Sequence, residues 1–297
     1  MTSVALLGTG VMGSAMARCA ATAGLEVGAW SVPLGDAERL AADGIAVHPT
    51  AAAAAAGADL VVTMVPDANA VETFAEGSDG FLEAMAPDAI WVQCSTVGVE
   101  GGDGLIALAE RHGVTIVDAP VLGSRVPAEQ GRLIVLASGP EDALARCAPF
   151  FAAVAEQVVA LGPAGKGSRM KMVTNTWIMA AVASVAETMA LAEALDVDGA
   201  LFLEAIAGTP MDMGYAQSKG GMIVAREYPV QMSLEHGAKD ARLAAAAARE
   251  LGLPARVITA AAALMQDAAD AGHGGVDMAA AFHGAVAQAK TETGGRA

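Results

Sequence analysis

The 297-residue chain is short of basic residues, aromatics and cysteine, and each shortage excludes something. Lys and Arg number 17 against 33 Asp and Glu, a formal net charge of −16. A nucleic-acid interface needs a basic footprint, so none is expected. The same deficit argues against docking on anionic membranes. Cys19, Cys94 and Cys147 are far apart and form no C-x-x-C. They read as buried thiols in a reducing compartment, not as a disulfide framework. The five histidines (His48, His112, His236, His273 and His283) lack metal-ligand spacing, so no metal is expected. The first 30 residues are apolar, but they lack the basic start of a signal peptide and are punctuated by glycine. No uninterrupted apolar run reaches the ~18 residues of a membrane span. The stretch after Trp177 is broken by Glu187. The expected location is the cytoplasm.

What the chain has in quantity is alanine-rich apolar sequence: 54% apolar residues with only 4% aromatics. Alanine favours helix, and the length suits two domains. In the first half, strand-like runs alternate with helical ones. Strands are expected at Ser3–Leu7, Glu26–Trp30, Ile45–Val47, Leu60–Val65, Ala89–Cys94, Thr115–Val117, Leu133–Ala137 and Gln157–Ala160. Helices are expected from the glycine turn to Ala23, at Asp36–Ala42, after a Thr50 cap, and near Val71–Phe74, Leu105–Arg111 and Glu141–Val154. This alternation predicts an α/β fold with a doubly wound, mostly parallel sheet. After Gly165 only helical patterns follow: a long one from about Ser168 to Asp196, then Gly199–Ala207, Leu234–Glu250, Ala255–Ala269 and Met278–Ala289. The tail Gly294–Ala297 is expected to fray. The expected domains are 1–163, dinucleotide-binding, and 164–297, all-helical, with the long helix joining them.

Gly8-Thr9-Gly10-Val11-Met12-Gly13 fits G-x-G-x-x-G directly after a strand and at the start of a helix, the context in which that pattern signals a dinucleotide. Gly8 permits the turn, Gly10 lets the backbone approach a pyrophosphate, and Gly13 lets helix and strand pack closely. The helix N-terminus offers N–H groups and partial positive charge to an anion. Cofactor choice is usually made ~20 residues on, by an acidic residue for NAD or an arginine for NADP. Here the second strand ends in Trp30-Ser31-Val32-Pro33, which has neither, while Asp36 and Arg39 nearby pull opposite ways. Met64-Val65-Pro66 either touches the adenosine side of the cofactor or is a strand end turned by Pro66.

The opening run Gly8 to Ala17 resembles the β-hydroxyacid dehydrogenase family, which begins G-x-G-x-M-G-x-x-M-A. Three further blocks match in order: Ser95-Thr96 after the fifth strand; Asp118-Ala119-Pro120-Val121-Leu122-Gly123; and Gly165-Lys166-Gly167 through Lys171 to Asn175. Lys239-Asp240 sits where the family has a K-D pair. The run Pro127–Leu133 is most similar to glyoxylate and succinic semialdehyde reductases, and imine reductases are related. Four positions depart from the pattern. Leu122 replaces a serine that helps hold a substrate carboxylate. Val32 and Ser31 stand where NADP-dependent members tend to have arginine and asparagine. Thr174 replaces the first of two asparagines.

The resemblance implies NAD(P)H-dependent reduction of a small aldehyde or 2-oxo acid, with NADP(H) slightly favoured over NAD(H). It also implies a homodimer or homotetramer that shares the helical domain. By residue type alone, Lys171 at the start of a helix reads as a solvated charge. The resemblance makes it the proton donor, protonated at the ordinary lysine pKa of ~10.4, with Asn175 four residues on along one helix face. Ser95, Thr96, Leu122, Gly123 and Ser124 would line the substrate site. Gly8 to Gly13, Trp30 to Val32, Met64 to Pro66, Thr96 and Lys239 would face the cofactor. Asp212 and Tyr215 read as a helix–helix loop that either connects or reaches the site. The methionines of the helical half read as gap-filling core. Alternatives on the same scaffold are imine reduction, oxidation of a 3-hydroxy acid, and a catalytically silent cofactor-binding scaffold.

Overall fold

The computed structural model describes residues 1–286. The end of the expected helix Met278–Ala289 and the tail Gly294–Ala297 lie outside the described residues. The chain falls into two compact units, Met1–Lys171 and Met172–Ala297.

In the first unit strands and helices alternate: β1 (Ser3–Leu7), α1 (Val11–Thr22), β2 (Glu26–Trp30), α2 (Leu34–Glu38), β3 (Ala46–Val47), α3 (Ala51–Ala55), β4 (Leu60–Thr63), α4 (Ala68–Thr73), β5 (Ile90–Gln93), α5 (Gly98–Arg111) and β6 (Thr115–Asp118). The six strands form one parallel sheet, ordered β3-β2-β1-β4-β5-β6. β4 and β5 are buried along their whole length, as strands covered on both faces must be. Side chains alternate across β1. Val4 and Leu6 join a core with Met16, Ala20 and Phe150, while Ala5 and Leu7 join another with Phe81, Trp91 and Leu105. The strand order reverses between β1 and β4, and open α/β sheets bind ligands in the crevice at such a point.

β7 (Val121–Leu122), α6 (Arg125–Glu129), β8 (Leu133–Ala137), α7 (Glu141–Val154) and β9 (Ala155–Ala160) complete the unit. The strands expected at Leu133–Ala137 and Gln157–Ala160 form, but in a separate sheet, β7-β8-β9, with β7 antiparallel to β8. The chain turns back after Pro120, and a bridge between Asp118 and Ser138 joins the two sheets. β7 is two residues long, too short to leave a pattern in the sequence.

α8 (Lys166–Ala194) starts in the first unit and runs on into the second, which adds α9 (Gly199–Ile206), α10 (Gly214–Ala225), α11 (Leu234–Glu250) and α12 (Arg256–Ala268). Alanines make up much of the buried face of α11, where Ala238, Ala241, Ala244 and Ala245 are accompanied by Gly237. Such small side chains let a neighbouring helix approach closely. Met179, Met189, Met265 and Met278 are buried, as gap-filling core. The segment around Asp212 and Tyr215 is not wholly a loop, because Tyr215 lies on α10. By length and composition alone α8 is apolar enough to cross a membrane, which counting unbroken runs did not anticipate. Within the protein 39% of its most apolar stretch is buried. Cys94 and Cys147 are buried and Cys19 half-buried, all with free thiols. Burial pushes the Cys147 thiol up to about 12.

Candidate active site

The segments that follow β1, β2, β4 and β5 carry all the residues singled out for the cofactor except Trp30, the last residue of β2, and Lys239, which lies on α11. Gly8 has φ +101°, and its N–H donates to the Trp30 carbonyl (2.9 Å). A Cβ on Gly8 would lie 2.4 Å from the Met64 carbonyl oxygen, so the turns after β1, β2 and β4 meet at this glycine. The Thr9 N–H donates to Ser31 Oγ (3.2 Å), which fixes the loop after β2 against the fingerprint. Val32 beyond it is 77% exposed, and Arg39 is engaged by Asp36 (3.3 Å).

α1 starts at Val11 behind Gly10, with no side chain capping its N-terminal N–H groups. Those groups need an outside acceptor. A Cβ at Gly10 would meet nothing within 4 Å, while one at Gly13 would lie 1.9 Å from the Gly8 carbonyl oxygen. The Thr9 hydroxyl is buried without a partner. Open space at Gly10, uncapped amides and an orphaned hydroxyl together fit the pyrophosphate of a dinucleotide.

Ser95, expected on the substrate side, is buried and bonded to its neighbours. Its hydroxyl accepts from the Val65 N–H (2.9 Å) and lies 3.4 Å from the Thr63 carbonyl, so it ties the ends of β4 and β5 together. Gln93 brackets the same residue, with Oε1 accepting from the Ser95 N–H (2.7 Å) and Nε2 donating to its carbonyl (2.9 Å). Met64, Val65 and Thr96 are half-buried and Pro66 is exposed. Leu122 is half-buried on β7, Gly123 is exposed at φ +123°, and Ser124 starts α6 without a side-chain cap bond.

Lys171 is 8% exposed and its Nζ donates to the Val121 carbonyl (2.9 Å). It is not the solvated helix-end charge that its residue type suggests. Asn175, one turn along α8, is 1% exposed. Its amide Nδ2 donates to Asp240 Oδ2 (3.0 Å), and its Oδ1 is buried with no partner. Asp240, buried on α11, also holds Lys239 Nζ at 3.0 Å. Asp240 thus joins the Lys239 and Asn175 positions; the sequence singles it out only as the second member of the Lys239-Asp240 pair, with no role of its own. Asp240→Ala will leave the Asn175 amide with neither of its groups paired, costing about 1–3 kcal/mol in a urea unfolding curve. Asp212 accepts from the Gly208 N–H and from Gln217 Nε2 (2.9 Å each). The Gly208 bond, first among the causes, holds its carboxyl below the usual range. Burial raises the Tyr215 hydroxyl. Among the described residues no group of three or more His, Cys, Asp or Glu is arranged to hold a metal.

Residues 3–162 match the family described as the NAD binding domain of 6-phosphogluconate dehydrogenase. Residues 165–284 match that described as the NAD-binding of NADP-dependent 3-hydroxyisobutyrate dehydrogenase. The chain is 29% identical over 242 residues to glyoxylate/succinic semialdehyde reductase 2, chloroplastic, of Arabidopsis thaliana, covering 82% of this chain and 68% of that one. It is 32% identical over 208 residues to a probable 3-hydroxyisobutyrate dehydrogenase of Mycobacterium bovis, covering 70% of each. The crystal structure of 3-hydroxyisobutyrate dehydrogenase from Salmonella typhimurium superposes with a TM-score of 0.87 at 26% identity, covering 95% of this chain and 99% of that one. The family matches along both halves of the chain, the identity to these relatives and the shared fold establish that the chain belongs to the β-hydroxyacid dehydrogenase family of NAD(P)-dependent oxidoreductases.

Proposed function

We propose that the chain reduces a small aldehyde or 2-oxo acid, of the size of glyoxylate or succinic semialdehyde, with Lys171 as proton donor. The observation that carries this reading is the buried Lys171 ammonium, held by the Val121 carbonyl one helical turn before the orphaned Asn175 oxygen. A lysine is almost never buried without a task or a partner.

A bound nicotinamide would supply the hydride, and negative charge would then develop on the substrate's carbonyl oxygen. Lys171 Nζ–H stabilises that charge and transfers its proton, leaving a hydroxyl on the product and a neutral amine that solvent reprotonates. The Val121 carbonyl fixes the direction of Nζ, which a flexible four-carbon stem does not do by itself. Asn175 Oδ1 is an acceptor held in place by Asp240 through the other end of the amide, and it suits the hydroxyl or hydrate of a small oxygenated substrate. Leu122 gives the wall an apolar side chain, and the backbone N–H groups of Gly123 and Ser124 remain for a carboxylate. In the reverse direction the same residues would oxidise a 3-hydroxy acid.

Gly8 to Gly13, with Thr9 Oγ1, would hold the pyrophosphate. Trp30, Ser31 and Val32 would border the adenosine, and Lys239 the far end of the cofactor. No carboxylate stands at 30–33 to repel a 2′-phosphate, which favours NADP(H) slightly over NAD(H). Free thiols at Cys19, Cys94 and Cys147 suit the cytoplasm. The test is the initial rate of NADPH and NADH oxidation with glyoxylate and with succinic semialdehyde. Turnover with either aldehyde, faster with NADPH, is expected; none with either under both cofactors would overturn the reading.

The exposed face of α8 carries Val173, Trp177 (70% exposed) and Leu191, and exposed Leu195 follows its last residue. Apolar residues at this helical spacing mark a surface for another helix. We propose self-association there. Trp177→Glu should shift the mass measured by light scattering towards the monomer; a mass unchanged from wild type would exclude this face.

A further inference from the structure

Asp118 ends β6, is buried, and has no part in the reaction above. Its Oδ2 accepts from the Ser168 N–H (2.7 Å) and its Oδ1 from the Ser168 hydroxyl (2.7 Å). The Ser138 hydroxyl lies 3.2 Å from Oδ2 and accepts in turn from the Gly167 N–H (2.8 Å). Two N–H groups in the first turn of α8, which the helix cannot satisfy itself, are therefore bound by side chains at the ends of β6 and β8. Gly167 allows no slack in this seating. A Cβ there would lie 2.4 Å from the Leu136 carbonyl oxygen and 2.7 Å from that of Asp118.

The clasp runs in step with the contact that holds Lys171. Ser168 meets Asp118; three residues further along each segment, Lys171 meets the Val121 carbonyl. Residues three apart on a helix lie on one side of it, so a change in how the first turn is seated reaches Nζ within one turn. A serine or threonine would satisfy a helix start at less cost than a carboxylate taken out of water. Burial indeed raises the Asp118 carboxyl, with the bonds from Ser168 and Ser138 working against it.

We propose that Asp118 is a positioning residue: with Ser138 and Ser168 it clamps the first turn of α8 and thereby sets where the Lys171 ammonium stands. The proposal rests on the reading of Lys171 as proton donor. Its step beyond that reading is that the aim of Nζ is set by a carboxylate that does not touch the substrate.

The experiment compares wild type, Asp118→Asn, Ser168→Ala and Lys171→Ala. The asparagine keeps the shape of the side chain but turns a donor towards the Ser168 clasp. With glyoxylate and NADPH, Asp118→Asn should lower kcat by up to ~10²-fold and leave KM and NADPH affinity within about threefold, a split that general destabilisation does not produce. A second readout needs no turnover. The chain has five lysines, so protein carrying ε-¹³C lysine gives few Cε signals, and that of Lys171 is the one lost in Lys171→Ala. This signal and its titration midpoint should move in Asp118→Asn and, less, in Ser168→Ala. A folded Asp118→Asn with kcat within threefold of wild type and an unmoved Lys171 signal would overturn the proposal. If Asp118→Asn fails to fold, Ser168→Ala decides by the same two measurements. A fully active Lys171→Ala would refute the proton-donor reading, and with it any catalytic role for the clasp, while the Cε signal would still report whether Asp118 places the ammonium.

Discussion

Lys171→Ala is expected to lose ~10²–10⁴-fold in turnover, the largest effect of any side chain in the site, while NADPH binds as before. Two terms add up in that loss. The alanine has no proton to give, and the charge growing on the carbonyl oxygen loses its nearest cation. Truncation also frees the Val121 carbonyl on β7, which now receives the Lys171 Nζ–H. The measurement is single-turnover kinetics beside a fluorescence titration with NADPH. Turnover within threefold of wild type would end the assignment. Weakened NADPH binding in step with turnover would instead make Lys171 part of the cofactor site. Lys171→Arg should recover little, because a planar guanidinium does not give up a proton under ordinary conditions.

Gly13→Ala is expected to cost stability and cofactor together. The new Cβ would stand 1.9 Å from the Gly8 carbonyl oxygen. Both sides of this clash are backbone, so no rotamer relieves it and α1 must lift off the turn. Overpacking of this kind costs ~3 kcal/mol or more, a fall of roughly 6–12 °C in Tm at this chain length. The amides at the start of α1 move with the helix, and NADPH affinity should drop at least tenfold. Gly10→Ala is the contrast. Its Cβ meets nothing within 4 Å and its φ of −65° suits any residue, so the fold should hold while the methyl group stands in the place of the pyrophosphate. Equal Tm losses in the two variants would contradict this division between packing and binding.

How legible the molecule was in its sequence depended on how local each demand is. The fingerprint could be read because its spacing is local, with Gly13 set against the Gly8 carbonyl five residues before it, and Thr50 because a cap reaches only to Ala53. The separate β7-β8-β9 sheet could not, since strand partners are chosen across the chain and period-2 patterns look alike in any sheet. α10 was hidden by its glycines. Gly220 reads as a breaker, yet a Cβ there would lie 2.7 Å from Leu203 and 2.8 Å from Met189, so close helix packing requires it. α5 extends N-terminally to Gly98 through Gly101, Gly102 and Gly104, residues that weaken a helical pattern. Lys171 was found by its place in a motif; its burial was not visible. Asp240 and Asn175 stand 65 residues apart, and only folding brings them within bonding distance. Asp118 headed a block read for its glycine end, and its bonds to Ser168 span 50 residues.

The uncapped start of α1 has a thermodynamic consequence. Most helices in this chain that begin at a serine, threonine or aspartate carry their own acceptor, as Thr50, Asp67, Asp198 and Ser233 do. With the pyrophosphate as the acceptor that α1 lacks, as proposed above, the cofactor is also part of the fold. At a hundred times its Kd, NADPH should add about 2.7 kcal/mol to the unfolding free energy. The melting temperature should then track the concentration of NADPH, and the protein's lifetime in the cell should follow the nucleotide pool that its chemistry draws on.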